Sequence, residues 1–142
     1  MQLSRFSDYS LRILLYLGAN PGEKATLTAV SEYYDISLDH LRKVVHELSK
    51  LGYINTFRGK HGGFELAKGK DEINLGTVIR LTEGSGPLLD CGSQPCRLNA
   101  VCSLKGALAE AQQAFFDALS VYTLEDLLRS RKMQRELRVV NL

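Results

Sequence analysis

Cys91, Cys96 and Cys102 are the only cysteines among 142 residues, and they fall within twelve positions of one another. Thiolates are soft ligands that suit iron–sulfur clusters or zinc. The segment that carries them lacks helical periodicity and is broken by Gly84, Gly86, Pro87, Gly92 and Pro95, so it reads as an irregular loop able to aim several sulfurs at one point. Structural zinc favours cysteines two to four residues apart with a fourth Cys or His nearby. Here the pattern is Cys-x4-Cys-x5-Cys, and the nearest histidine, His61, lies thirty residues before Cys91. An iron–sulfur cluster is the favoured reading, with zinc or a thiol switch left open. The odd count, and an N-terminus without the apolar run of a secretion signal, speak against a disulfide framework. Four-iron clusters take four terminal ligands, so three thiols leave one position to another residue, a partner subunit or a small molecule. Such a site is easily attacked, which suits a sensor better than a permanent structural centre.

The second constellation is basic. Net charge is only +2, from 18 Lys and Arg against 16 Asp and Glu. Between His40 and Lys70, however, seven basic residues face two acidic ones, an excess that suits a polyanion. A helix is expected from Ser7, its cap, to Ala19, and a second from Leu27 to Tyr34. A third, capped by Ser37, stops at Gly52. Leu38, Leu41, Val44, Val45, Leu48 and Leu51 form one apolar stripe of that third helix. Asp39, Lys43, His46 and Lys50 fall opposite it, with Arg42 at the flank. Tyr53 to Phe57 and Phe64 to Ala67 read as strands around a charged tip, Arg58-Gly59-Lys60-His61-Gly62-Gly63.

The order of these elements is that of a winged helix-turn-helix, and it predicts double-stranded DNA as the partner. Ser37, Asp39, His40 and Lys43 occupy the groove-entering half of the third helix. Arg42 and Lys50 are placed for phosphates, and Arg58, Gly59, Lys60 and His61 of the wing for the minor groove or backbone.

The remaining elements organise the chain around these two sites. A helix from Leu75 to Glu83, capped by Asn74, packs through Val78, Ile79 and Leu81. After the last cysteine, Val101, Leu104, Leu108, Ala111, Phe115, Ala118 and Tyr122 alternate spacings of three and four, a seam for packing against another helix. Leu104, Leu108, Ala111, Phe115 and Tyr122 are therefore the expected dimer interface. Thr123 with Asp126 resembles a capping box for a last helix, and the basic tail from Arg129 to Leu142 is expected to fray. The expected class is mainly α with a small β-hairpin wing. Residues 1–84 bind DNA, 85–102 form the cysteine loop, and 103–142 hold the dimerisation helix and C-terminal segment. No stretch approaches the 18 uninterrupted apolar residues of a membrane span. Paired carboxylates, a nucleophile elbow and a phosphate loop are all missing, which argues against an enzyme. An iron–sulfur electron carrier is the least favoured alternative, because it would leave the basic helix and wing without a purpose.

Leu3-x4-Asp8-Tyr9-x-Leu11-Arg12, the wing Gly52-Tyr53-Ile54…Arg58-Gly59-Lys60-x-Gly62-Gly63-Phe64-x-Leu66, the three-cysteine loop and Tyr122-Thr123-Leu124-x-Asp126-Leu127 together resemble the Rrf-type family of bacterial transcription regulators. The likeness covers nearly the whole chain. The x4, x5 cysteine spacing is most similar to the family's nitric-oxide-sensing branch. The branch that regulates iron–sulfur cluster assembly has x5, x5 and then a ligand histidine, and none follows Cys102 here. The resemblance implies a cytoplasmic homodimer whose long helices cross, with one cluster per subunit, four-iron (4Fe-4S) rather than two-iron (2Fe-2S). It also implies that a carboxylate from the opposite subunit, at the position matched by Asp8, completes the ligand set. Arg12 and Glu83 match residues that tie the cluster to the DNA-binding half. The implied activity is repression at a palindromic operator, relieved when nitric oxide attacks the cluster iron. Sensing of iron–sulfur status, iron or redox state by the same fold is the alternative.

Overall fold

The computed structural model describes residues 1–138. Seven α-helices and one hairpin follow in the order α1 (Arg5–Ala19), α2 (Leu27–Tyr34), α3 (Leu38–Lys50), β1 (Ile54–Phe57), β2 (Gly63–Leu66), α4 (Leu75–Glu83), α5 (Ser103–Leu119), α6 (Leu124–Leu127) and α7 (Arg131–Leu137). The fold is thus mainly α with a two-stranded wing, as expected. No helix among the described residues is long and apolar enough to cross a membrane.

Local chemistry explains most boundaries. The side chains of Ser4, Thr26, Ser37, Asn74, Thr123 and Ser130 each accept from a backbone N–H of the helix they open, which satisfies donors that have no partner inside the helix. The cap of α1 is therefore Ser4 rather than Ser7. Ser7 lies one turn inside the helix, fully buried, and donates to Thr82 Oγ1 at 2.7 Å. Between α2 and α3 the chain turns through Asp35 at φ 54°, a left-handed conformation that aspartate tolerates better than most residues.

One core holds α1, α2, α3, the wing and α6. Ile13, Leu14, Val30, Leu41, Leu48, Ile54, Ile73, Val78 and Leu128 are each at most 2% exposed, and α1 packs against α3, α4, α6, α7 and β2. Two residues assigned to the apolar stripes of α3 and α4 are exposed. Leu38 is 41% exposed and Leu81 is 49% exposed. Leu38 falls at the edge of its stripe in the first turn of α3, and Leu81 on a side of α4 that no described element covers. The tail also departs from expectation. Arg131–Leu137 forms α7, whose Leu137 is buried, and it is fastened by Asn20 Nδ2 to Leu137 O at 2.9 Å and by Tyr33 Oη to Glu136 O at 2.6 Å. Its last four positions, 139–142, lie outside the described residues.

Helix α5 stands apart from that core. Only Phe116 is buried on it, with the Arg80 guanidinium 4.2 Å from its ring centroid, and α5 packs chiefly on α4. The two helices meet at Gly76, where a Cβ would lie 2.8 Å from Phe116 O and against Ser120 Oγ. Overpacking at such a site costs about 1–3 kcal/mol. Gly76→Ala is accordingly expected to lower unfolding stability by about that much, read as a shift of the urea midpoint.

Candidate nucleic-acid interface and cysteine loop

Helix α3 is held by one face. Leu41, Val44, Val45 and Leu48 are buried, and Asp39, His40, Arg42, Lys43, His46 and Lys50 are exposed. The Ser37 hydroxyl accepts from His40 N at 3.4 Å, so this side chain is already committed to capping. Arg42 pairs with Asp39 at 2.8 Å, with side chains 61% and 86% exposed, and Lys50 approaches Glu47 at 3.5 Å. Exposed pairs of this kind are worth roughly 0–1 kcal/mol, so both cations can exchange their partners for phosphates. Lys43 has no ion pair among the described residues. The ring of Tyr9 lies 6.1 Å from that of His40, and it brings α1 to the groove-entering end of α3. Sequence reading missed this contact, because nothing in spacing relates positions 9 and 40.

The wing places Arg58, Gly59, Lys60 and His61 at an exposed tip, closed by Gly62 N donating to Gly59 O at 3.0 Å. Strand register runs from Ile54 opposite Leu66 to Phe57 opposite Gly63. The root of the wing is braced by a segment that the sequence did not reveal. Ala25 bridges Phe64 through two backbone hydrogen bonds of 2.9 Å, and Lys24 Nζ sits 4.1 Å above the Phe57 ring. Gly63 belongs there because a Cβ would strike Ala25 O, and because its φ is 139°. A bridge one residue long leaves no periodicity to detect.

Residues 84–102 contain no helix or strand. Cys91 and Cys102 are half-buried, Cys96 is exposed, and all three thiols are free. Among the described residues no three His, Cys, Asp or Glu side chains converge as a metal site. The donor set nonetheless fits an iron–sulfur cluster in its chemistry: three unbridged thiols on a chain of irregular turns.

Asp8 accepts from Arg12 Nε at 2.7 Å, both side chains being a little over two-fifths exposed. This bond raises the Arg12 pKa against the opposing effect of burial. The guanidinium also lies 5.6 Å from the Tyr34 ring, and Tyr34 Oη donates to Arg12 O at 3.0 Å. Burial, above all, raises the Tyr34 pKa, which keeps that donor protonated. Glu83 does not join Arg12. Its Oε1 accepts from Ser4 N at 2.6 Å, so the end of α4, where the cysteine loop begins, is tied to the start of α1. The structure thus joins Asp8 to Arg12, and Glu83 to the α1 cap, as two separate links.

The expected interface residues are partly to largely exposed. Leu104 is 58% exposed and Tyr122 47%; Ala111 is exposed, and Leu108 and Phe115 are half-buried. Ala111, Phe115 and Leu119 line one side of an apolar groove of about 580 Å³, with Leu3, Ile79 and Leu88 across from them.

A basic, outward-facing α3 beside a cation-tipped hairpin defines a winged-helix regulator that binds DNA, and the comparisons agree. Residues 3–130 match the Rrf2 family, described as iron-dependent transcriptional regulators, and the chain belongs to that family. It is 48% identical over 132 residues to the HTH-type transcriptional regulator NsrR of Halalkalibacterium halodurans, covering 90% of each chain. It is 45% identical over 141 residues to that of Geobacillus kaustophilus, covering 96% of each. The solved structure of CymR, the global cysteine regulator of B. subtilis, superposes with a TM-score of 0.70 at 25% identity, over 89% of this chain and 95% of that one. The chain is a transcriptional regulator and not an enzyme.

The link from Glu83 to α1 has a pH signature. Burial opposes the Glu83 charge, but the neighbouring polar groups of Ser7 and Ser4, including the Ser4 backbone N–H, outweigh it and hold the pKa below the usual 4.5. A lowered carboxylate pKa stabilises the fold above the unfolded value and loses that contribution as pH falls through the folded value. The stability advantage of the native chain over Glu83→Gln is therefore expected to be constant at neutral pH and to shrink below pH 4.5, measured by denaturant midpoints across that range.

Proposed function

We propose that this regulator is a cytoplasmic homodimeric repressor that binds a palindromic operator and releases it when nitric oxide reaches an iron–sulfur cluster. Cys91, Cys96 and Cys102 would supply three ligands and Asp8 of the partner subunit the fourth, to a four-iron rather than a two-iron cluster. The single observation that carries this reading is the set of three free thiols on irregular chain between Glu83, bonded to the α1 cap, and the bare seam of α5. The Cys-x4-Cys-x5-Cys spacing, which resembles the nitric-oxide-sensing branch, supports the choice of signal.

The cluster, when bound, supplies iron that nitric oxide attacks. Everything else is done by the chain. The thiolates order the loop, and Asp8 exchanges its exposed bond with Arg12 for ligation. Glu83 passes the position of the loop to α1 through Ser4, and α1 carries α3. Leu104, Leu108, Ala111, Phe115 and Tyr122 bury their apolar surface against a second copy, which sets the distance between the two α3 helices. That distance must match one helical turn of DNA, about 34–36 Å, or a multiple, so a small displacement weakens binding.

Anaerobically purified protein should be brown and should retard promoter DNA only while it is loaded. Colourless, metal-free protein with equal affinity would overturn the proposal, and one equivalent of zinc without acid-labile sulfide would transfer it to the zinc or thiol reading. Cys96→Ala is expected to abolish the visible absorbance. Lys43→Ala should leave the absorbance intact, weaken DNA binding, and reduce the slope of log K against log salt by about 0.9, the value for one lost phosphate contact on duplex DNA. An unchanged slope with reduced affinity would place Lys43 on a base edge instead.

A further inference from the structure

We propose that Leu38 reads the methyl group of a thymine in the major groove. This inference rests on the reading of α3 as the groove-entering helix and goes beyond it by assigning one position of the bound sequence.

Leu38 is the first residue of α3, directly after the Ser37 cap, and it is 41% exposed. The apolar residues of the following turns, Leu41, Val44, Val45 and Leu48, are at most 7% exposed. At about 100° per residue, Leu38 falls at the edge of their stripe, on the flank where Arg42 follows one turn later. Arg42, its neighbour one turn on, is exposed, and about two-fifths of Leu38 itself is open to water. A large aliphatic side chain left partly open at the end of a cationic helix is covered when that end enters DNA. The first residues of such a helix are those that meet base edges.

The groove offers one apolar feature, the C5-methyl of thymine, and aliphatic side chains recognise it by contact. The polar candidates cannot do so. Ser37, Asp39, His40 and Lys43 pair with hydrogen-bond donors and acceptors, and Arg42 and Lys50 neutralise phosphates irrespective of sequence. Leu38 is the one side chain at this end of α3 whose chemistry separates a thymine from a base that lacks the methyl. In a symmetric dimer it specifies one T·A pair in each half-site.

Deoxyuridine tests this directly, because it keeps every pairing group of thymidine and lacks only the methyl. The probe is the duplex that the full-length, anaerobically purified protein enriches from a random library, with each thymine replaced in turn. One replacement per half-site should lower the affinity of the native protein about fourfold, the worth of one buried methyl-sized group. Leu38→Ala should bind the thymine duplex more weakly and show no difference between thymine and deoxyuridine at that position. Leu38→Met, which keeps an apolar reach, should preserve the difference. If Leu38→Ala discriminates as well as the native protein, or if no thymine replacement affects the native protein, the assignment is wrong. Failure to enrich any duplex would instead overturn the DNA-binding reading beneath it.

Discussion

The interaction on which this molecule depends is the burial of a single stripe on α3. Leu41 and Leu48 are fully enclosed, and Val44 and Val45 nearly so. Truncating a buried leucine to alanine costs about 2–5 kcal/mol, against a total stability of roughly 5–15 kcal/mol for a domain. The stripe therefore fixes the rotation of α3 about its own axis with little room to slip. What faces outward is a consequence of what faces inward. Asp39, Arg42, Lys43, His46 and Lys50 point to solvent together because the residues between them cannot.

Helix α1 is the other half of that constraint, since α3, the wing, α4, α6 and α7 all lean on it. Its N-terminal end concentrates positive potential, from unsatisfied N–H groups and the helix dipole. Two carboxylates collect there for that reason. Asp8 lies in the first turn, and Glu83 accepts from Ser4 N just outside it. The buried Ser7 hydroxyl reaches Thr82 one residue before Glu83, so the contact between α1 and α4 is polar as well as apolar. Among the described residues no buried side-chain polar atom lacks a partner, and that interface is held without an unsatisfied group.

How much of this was legible depends on how local each cause is. Helices α2 and α4 fall where their patterns place them, because a single cap and an apolar repeat determine each, Asn74 for α4 among them. The cap of α1 was misplaced by three residues because Ser4 and Ser7 both suit the role. Only the tertiary contact of Ser7 with Thr82 separates them. Leu38 and Leu81 were misread because periodicity reports a direction around the helix and says nothing of whether another element lies there. The order in α7 comes from Tyr33 and Asn20, more than a hundred positions away along the chain, which no local pattern encodes. At the candidate site the thiol spacing and the charged face were plain. Convergence of the thiols was not, since the turns of their loop, such as Asn99 N to Cys96 O, do not bring the three sulfurs together.

That last point bears on how a signal at the loop could matter to DNA. The core beneath the DNA-binding half, from Ile13 through Leu48 to Leu124 and Leu128 of the C-terminal segment, takes nothing from residues 84–102. On the proposed reading, loss of the cluster leaves this half folded and must act by displacing it. The energies allow that. A hundredfold loss of operator affinity is about 2.7 kcal/mol, and a hydrogen bond to a charged group contributes about 1.5–3 kcal/mol. The bond from Ser4 N to Glu83 is of this kind, and it is the point where the loop's parent helix grips α1. It is exposed, so solvent screening brings its worth below that range. On that reading, two such contacts, one in each subunit, supply part of the energy a switch requires, and the displaced seam between the subunits supplies the rest without unfolding either half.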